Sequence, residues 1–86
     1  MPDVRGTMYT REDCDLCEDV AETLERVADE EGIDLELSAV DVDADPALRE
    51  EYGERVPYVL LEGKPAFKYS VAPSAARSTL RALADE

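Results

Sequence analysis

The chain has 86 residues, 44% of them hydrophobic and 36% charged, with 22 acids against 9 bases and a net charge of −13. A chain this short buries only about 60–65% of its unfolded surface, which predicts a single domain over residues 1–86 with one small core. The charge excludes a nucleic-acid binder, which needs clustered lysine and arginine to displace counterions, and no apolar run nears the roughly 20 residues of a membrane span.

In chain order, the opening "MPDVRGTMYT" lacks the basic start and apolar stretch of an export signal and predicts a cytoplasmic protein. Within it, Gly6 to Thr10 is a β-branched and aromatic run that reads as a first strand. Cys17, Val20, Ala21, Leu24, Val27 and Ala28 then follow the spacing of an amphipathic helix. Asp13 as N-cap and Gly32 as stop bound that helix at about Cys14 to Glu31. "DLELSAVDVD", Asp34 to Asp43, alternates as a strand with a phase slip near Ser38 and Ala39. In "DPALREEYG", Asp45 is an N-cap, Pro46 stands in the first turn and Gly53 lies beyond the end, which predicts a two-turn helix pinned by Leu48 and Tyr52. "VPYVLLEGKPAFKY" reads as a hairpin turning at Glu62, Gly63 and Lys64, with Pro65 opening its second arm. A last helix puts Ala76, Leu80 and Leu83 on one face. The order β-α-β-α-β-β-α predicts an α/β fold, a four-stranded mixed sheet flanked by helices, with a parallel first pair and an antiparallel closing hairpin. Tyr9, Tyr52, Tyr58 and Tyr69 invite a binding platform, but aromatics at strand and helix ends are usually core or rim, and these read as such; the acids of the first helix read as a solvated face.

Both cysteines, Cys14 and Cys17, fall where the first strand hands over to the first helix. In a reducing compartment a single close pair is poor material for a structural staple. Cysteine chemistry is thiolate chemistry, and Cys14 in the first turn meets unsatisfied N–H groups and the positive end of the helix dipole. Cys17 lies on the apolar stripe and is shielded. That asymmetry suits exchange in which Cys14 attacks a substrate disulfide and Cys17 displaces the product. A CxxC beside a βαβ pattern is a redox signature. A zinc site needs four ligands, and this chain has two cysteines and no histidine. Two alternatives stay open: a non-catalytic interaction module, and a metal or iron–sulfur centre shared by two copies through their CxxC pairs.

On "YTREDCDLC", "RVPYVLL" and this order of elements, the chain resembles the glutaredoxin branch of the thioredoxin-like family over about Gly6 to Leu83. The resemblance implies a thioredoxin-like fold and a thiol–disulfide oxidoreductase that works as a monomer. Its partner would be a disulfide-containing protein or a low-molecular-weight thiol. It needs no cofactor and no metal, because the cysteine pair is the redox couple. The resemblance also implies that Pro57 is cis and faces the CxxC, that the backbone of Val56 pairs with a substrate strand, and that Arg11 favours the Cys14 thiolate or holds a substrate carboxylate. The sequence departs from the family's pattern in three places. Asp15-Leu16 stands where Pro-Tyr is common, Arg55 where threonine is usual, and "YSVAPS" where a Gly-Gly segment binds glutathione. Arg55 reads as another anion contact or as a partner of Glu54 or Glu51.

Glu12, Asp13, Asp15, Glu18 and Asp19 surround the thiols and oppose ionisation. Acids run from Asp3 to Glu86, and only Lys64 and Lys68 are lysines, a pattern resembling proteins of cells that hold molar salt. At 1 M ionic strength the Debye length is about 3 Å, so there the acids would oppose the thiolate far less.

Overall fold

Along β1 (Val4–Thr10) every second side chain is buried: Val4, Gly6 and Met8 face inward. The strand begins two residues earlier than expected because Val4 and Arg5 pair with Leu35 and Glu36 of β2 (Leu35–Asp41). The structure, a computed structural model, describes residues 2–85. Its four strands lie in the order β2-β1-β3-β4, with β3 at Tyr58–Leu61 and β4 at Lys64–Lys68. β1 is parallel to β2 and antiparallel to β3, and β3 is antiparallel to β4. Three helices flank the sheet, α1 (Asp15–Glu30), α2 (Pro46–Tyr52) and α3 (Pro73–Ala84), which gives the expected β-α-β-α-β-β-α order.

Pairing sets the faces. Met8 lies opposite Val59 and Gly6 opposite Leu61, so these residues share one face, which packs with Val20, Leu24, Val27 and Ala28 of α1 and Ala76 and Leu80 of α3 in one cluster. Gly6 is small for a reason: a Cβ there would stand 2.8 Å from Leu61 Cδ2 and 3.0 Å from Leu37 Cδ1. On the opposite face Tyr52 of α2 stacks on Tyr9, ring centroids 4.3 Å apart and planes within 7°, and Tyr58 joins them at 5.3 Å from Tyr52. These three tyrosines tie the short helix to the sheet. Burial, and after it the Glu51 charge, pushes the Tyr52 phenol above its ordinary range.

Several boundaries move for local reasons. α1 starts at Asp15 with Cys14 as its N-cap, and Asp13 instead takes a left-handed backbone with φ of 58°. α1 ends as the glycine predicts: with Gly32 at φ 68°, its N–H donates to the Asp29 carbonyl and the Ile33 N–H to that of Ala28, a Schellman closure. β2 stops at Asp41, short of Asp43, because the Asp41 carboxylate accepts the Asp43 N–H at 2.9 Å and turns the chain into a 3-10 turn at Val42–Ala44. Asp45 does cap α2, accepting the Ala47 N–H at 2.9 Å. The hairpin turns on two residues, Glu62 and Gly63, both at positive φ as a type I′ turn requires, and Lys64 already pairs with Leu61. Pro65 is the second residue of the edge strand β4, where its missing N–H leaves little unpaired.

An ion cluster joins the end of α1 to α3. Glu31 accepts a hydrogen bond from Arg81 and pairs with Arg77 at 3.3 Å, while Glu30 pairs with Arg77 at 3.2 Å. The Arg81 hydrogen bond, against some desolvation, holds the Glu31 carboxyl below the usual carboxylate range. A lowered folded pKa means that the unfolded chain binds more protons as pH falls, so this contribution is complete above the ordinary glutamate pKa of about 4.3 and is lost as pH drops through the lowered value. Glu31→Gln is therefore expected to lower the urea midpoint at neutral pH, with the gap to the parent closing below about pH 4 and shrinking in molar salt.

Candidate active site

The end of β1 and the start of β3 are neighbours, since Tyr9 pairs with Tyr58. The chain leaves β1 through Thr10 and Arg11 toward the cysteines and enters β3 through Val56 and Pro57, so both segments start from the same end of the sheet; Arg11, Cys14 and Cys17 line one cavity, and Val56 and Pro57 are not part of its wall. The Val56–Pro57 peptide is cis, and Pro57 is fully buried. Val56 is half-buried, and its N–H and C=O bond to no other group among the described residues.

Cys14 and Cys17 are joined as a disulfide with Cα atoms 5.2 Å apart. Cys14 is half-exposed, whereas Cys17 is 2% exposed on the buried stripe of α1. The Sγ of Cys14 also caps the helix, accepting the Cys17 N–H at 3.1 Å. A donor aimed at that sulfur stabilises negative charge on it and so favours a Cys14 thiolate in the reduced protein. The two cysteines form part of the wall of a cavity of about 330 Å³, together with Met8, Ala21 and Ala39 on its apolar side and Glu12, Asp13 and Glu18 on its acidic side. This cavity also accounts for the phase slip in β2. Leu35 and Leu37 pack on the core, but Ala39, next on the same face, opens onto the cavity and is exposed.

Arg11 lines the cavity too, but its guanidinium is engaged. Nε donates to Asp43 Oδ2 at 3.0 Å and Nη1 to the Gly53 carbonyl at 3.1 Å. Asp43 also faces Arg49 at 3.7 Å. Arg11 thus braces the loop before Cys14 against the turn and helix that lead to Val56-Pro57, and Asp43 shares its charge. Gly53 suits this brace, because a Cβ there would press on the Arg49 carbonyl. Asp43→Ala is expected to release that charge toward Cys14 and speed alkylation of the reduced protein by iodoacetamide below pH 7, whereas Arg11→Ala slows it. Each half-exposed partner costs about 0.5–1 kcal/mol of stability when removed. Arg55 is exposed, forms no ion pair among the described residues, and lies in a separate surface hollow with Arg49, Glu50, Glu51 and Glu54.

Asp43 and Tyr69 take positions that the sequence did not assign to them. Asp43 was legible only as one acid among 22. Tyr69, just after β4, donates its N–H to the Pro57 carbonyl at 2.8 Å and has φ of 71°, a conformation tyrosine rarely adopts. Among the described residues, no group of three or more His, Cys, Asp or Glu is arranged to hold a metal ion, and no helix is long and apolar enough to cross a membrane.

Residues 6–81 match the family model described as Glutaredoxin-like domain (DUF836). The chain belongs to this glutaredoxin-like family. A relative, "Uncharacterized protein Rv0508" of Mycobacterium tuberculosis, is 43% identical over 60 residues, which are 66% of this chain and 62% of the relative, so the match spans less than two thirds of that protein. Among solved structures, the glutaredoxin-like chain is similar to target protein XcR50 from X. campestris, at 30% identity and a TM-score of 0.72 over 90% of this chain and 96% of the other. Protein Ne2328 from Nitrosomonas europaea gives 26% identity and a TM-score of 0.73 over 93% of each chain. A mutant thioredoxin from Halobacterium salinarum NRC-1 shares the fold, at 24% identity and a TM-score of 0.65 over 96% of this chain and 76% of that one. The glutaredoxin-like assignment and a Cys14–Cys17 pair at bonding distance together point to redox function.

Proposed function

We propose that the protein is a dithiol thiol–disulfide oxidoreductase acting on protein disulfides or on mixed disulfides with a small thiol. The observation that carries this reading is the pairing of a half-exposed Cys14 with a buried Cys17 in a cavity wall at a helix start. In the reduced protein the Cys14 thiolate attacks one sulfur of the substrate disulfide. That S–S bond breaks, the departing thiolate takes up a proton, and Cys14 is left in a mixed disulfide. Cys17 then loses its proton and attacks Cys14 Sγ, which releases the second substrate thiol. The substrate has gained two electrons, and the protein is left with its own disulfide, to be reduced again by a cellular thiol. The free N–H and C=O of Val56 support a role in pairing with the substrate backbone beside the reacting sulfurs. The reading places the protein in the cytoplasm as a monomer without a cofactor.

The test is a redox titration in molar KCl, read by thiol alkylation and mass. The expected result is a reversible two-electron couple between roughly −120 and −300 mV. Thiols that never pair, or a disulfide that resists reduction across that range, would move the assignment to an interaction module. Metal bound to anaerobically purified dimer would move it to a shared centre.

A further inference from the structure

The two edges of the sheet are built differently. β4, at one edge, is five residues long, holds Pro65 and both lysines of the chain, Lys64 and Lys68, and shifts register against β3 between Val59 and Leu60. A short strand, a proline, lysines and a bulge each stop an edge from pairing with another chain. β2, at the other edge, has none of these. It runs seven residues in unbroken register with β1, from the Val4 and Leu35 pair to the Thr10 and Asp41 pair, without proline, glycine or lysine. An edge strand points a row of N–H and C=O groups away from its sheet. Among the described residues, no group outside the sheet bonds to the backbone of Leu35 to Val40.

The side chains along this edge decide what fits it. Its charges are all negative: Glu36 and Asp41 are exposed on the strand, and Asp34 is exposed just before it. On the face opposite Glu36, Leu35 and Leu37 are half-buried, and Ala39 is exposed in the cavity wall together with Glu18. A second copy of the chain is a poor occupant. Edge-to-edge pairing would add the acids of one β2 to those of the other, between chains of net charge −13. A basic strand meets attraction instead.

We infer that β2 is a docking edge for an extended, basic segment of a partner protein, which extends the sheet by one strand. Its backbone takes up the free N–H and C=O groups. Lysine or arginine at alternate positions faces Glu36, and the apolar side chains between them lie against Leu37 and Ala39. Ala39 also belongs to the wall of the cavity that holds Cys14 and Cys17, so the segment lies beside the thiols, across β1 from the strand that Pro57 leads into. The inference concerns where a partner is held and does not depend on the exchange chemistry proposed above.

The test titrates the isotope-labelled full chain with three short capped peptides and follows its backbone amides by NMR, at the lowest KCl concentration at which circular dichroism shows it folded. One peptide alternates lysine with valine, the second is the same peptide with its backbone nitrogens methylated, and the third alternates glutamate with valine. The lysine peptide is expected to shift the amides of Leu35 to Asp41 and to slow deuterium exchange of those that point away from the sheet. The methylated peptide keeps the charge but lacks the donors, and is expected to bind at least about tenfold more weakly. The glutamate peptide is expected not to bind. Glu36→Lys is expected to weaken binding of the lysine peptide about tenfold, whereas Glu50→Lys, the same charge change at an exposed position of α2, leaves it within about twofold. No binding of the lysine peptide, shifts spread evenly over the acidic surface, equal binding of the methylated peptide, or equal losses in the two variants would overturn the proposal. So would a dimer of the protein alone held through β2, which would make a second copy the occupant.

Discussion

Cys14→Ser is expected to abolish disulfide exchange, by about a thousandfold or more, while Cys17→Ser stops the reaction halfway with the substrate thiol still attached. The asymmetry follows from burial. Cys17 is 2% exposed and a disulfide in solution cannot reach it, so without Cys14 no sulfur is available for the first attack. Without Cys17 the first attack proceeds, because Cys14 keeps its place at the helix start and the Cys17 backbone N–H remains to stabilise its thiolate. The mixed disulfide then has no internal thiol to resolve it. Mass spectrometry of the reduced variants after treatment with a small disulfide reads both outcomes: no adduct for Cys14→Ser, and one stable adduct per chain for Cys17→Ser. An active Cys14→Ser protein would end the proposed mechanism.

Leu24→Ala is expected to have the largest effect on stability, about 3–4 kcal/mol in urea denaturation. Leu24 is 0% exposed in the middle of α1 and belongs to the single cluster that joins that helix to β1, β3 and α3. Removing its branched end loses the transfer free energy of three carbons and leaves a cavity that the sheet cannot close. At roughly 0.05–0.15 kcal/mol per residue, a domain of this size has only about 4–13 kcal/mol to lose. The variant therefore unfolds at much lower urea, or fails to fold at all at low salt, where repulsion among its acids is strongest. A midpoint within experimental error of the parent would mean that the cluster is looser than its burial implies.

Periodicity made most of the fold legible. Cys17, Val20, Leu24, Val27 and Ala28 could bury together only on a helix, and the β-branched and aromatic run from Gly6 to Thr10 marked the first strand, though not its start at Val4. The start of β1 was misplaced because pairing with β2 sets it, whereas the start of α1 and the end of β2 moved because short side chains compete for the same backbone donors. Aspartate is ordinarily a good N-cap, so Asp13 looked like the start of α1, yet a sulfur one residue later takes that role. Val42 and Asp43 continued the strand pattern until the Asp41 carboxylate turned the chain. At the site, the cysteine pair was legible from its spacing at a strand-to-helix junction, and the cis Val56–Pro57 peptide only through the resemblance to glutaredoxins. The partner of Arg11 was not, because Asp43 lies 32 residues away among many equivalent acids. Tyr69 was harder still. Its backbone is set by a hydrogen bond to Pro57 and contradicts the preference of its own side chain.

The capping sulfur of Cys14 has a spectroscopic consequence. The Cys17 amide proton points at the atom that changes from thiolate to disulfide, so its chemical shift and its exchange with deuterium report the electron count of the site directly. A thiolate accepts that proton more strongly than a bonded sulfur does. The reduced form should therefore show a downfield, well-protected Cys17 resonance, and the oxidised form an upfield, faster-exchanging one, so that a single backbone signal serves as a built-in redox indicator needing no added dye.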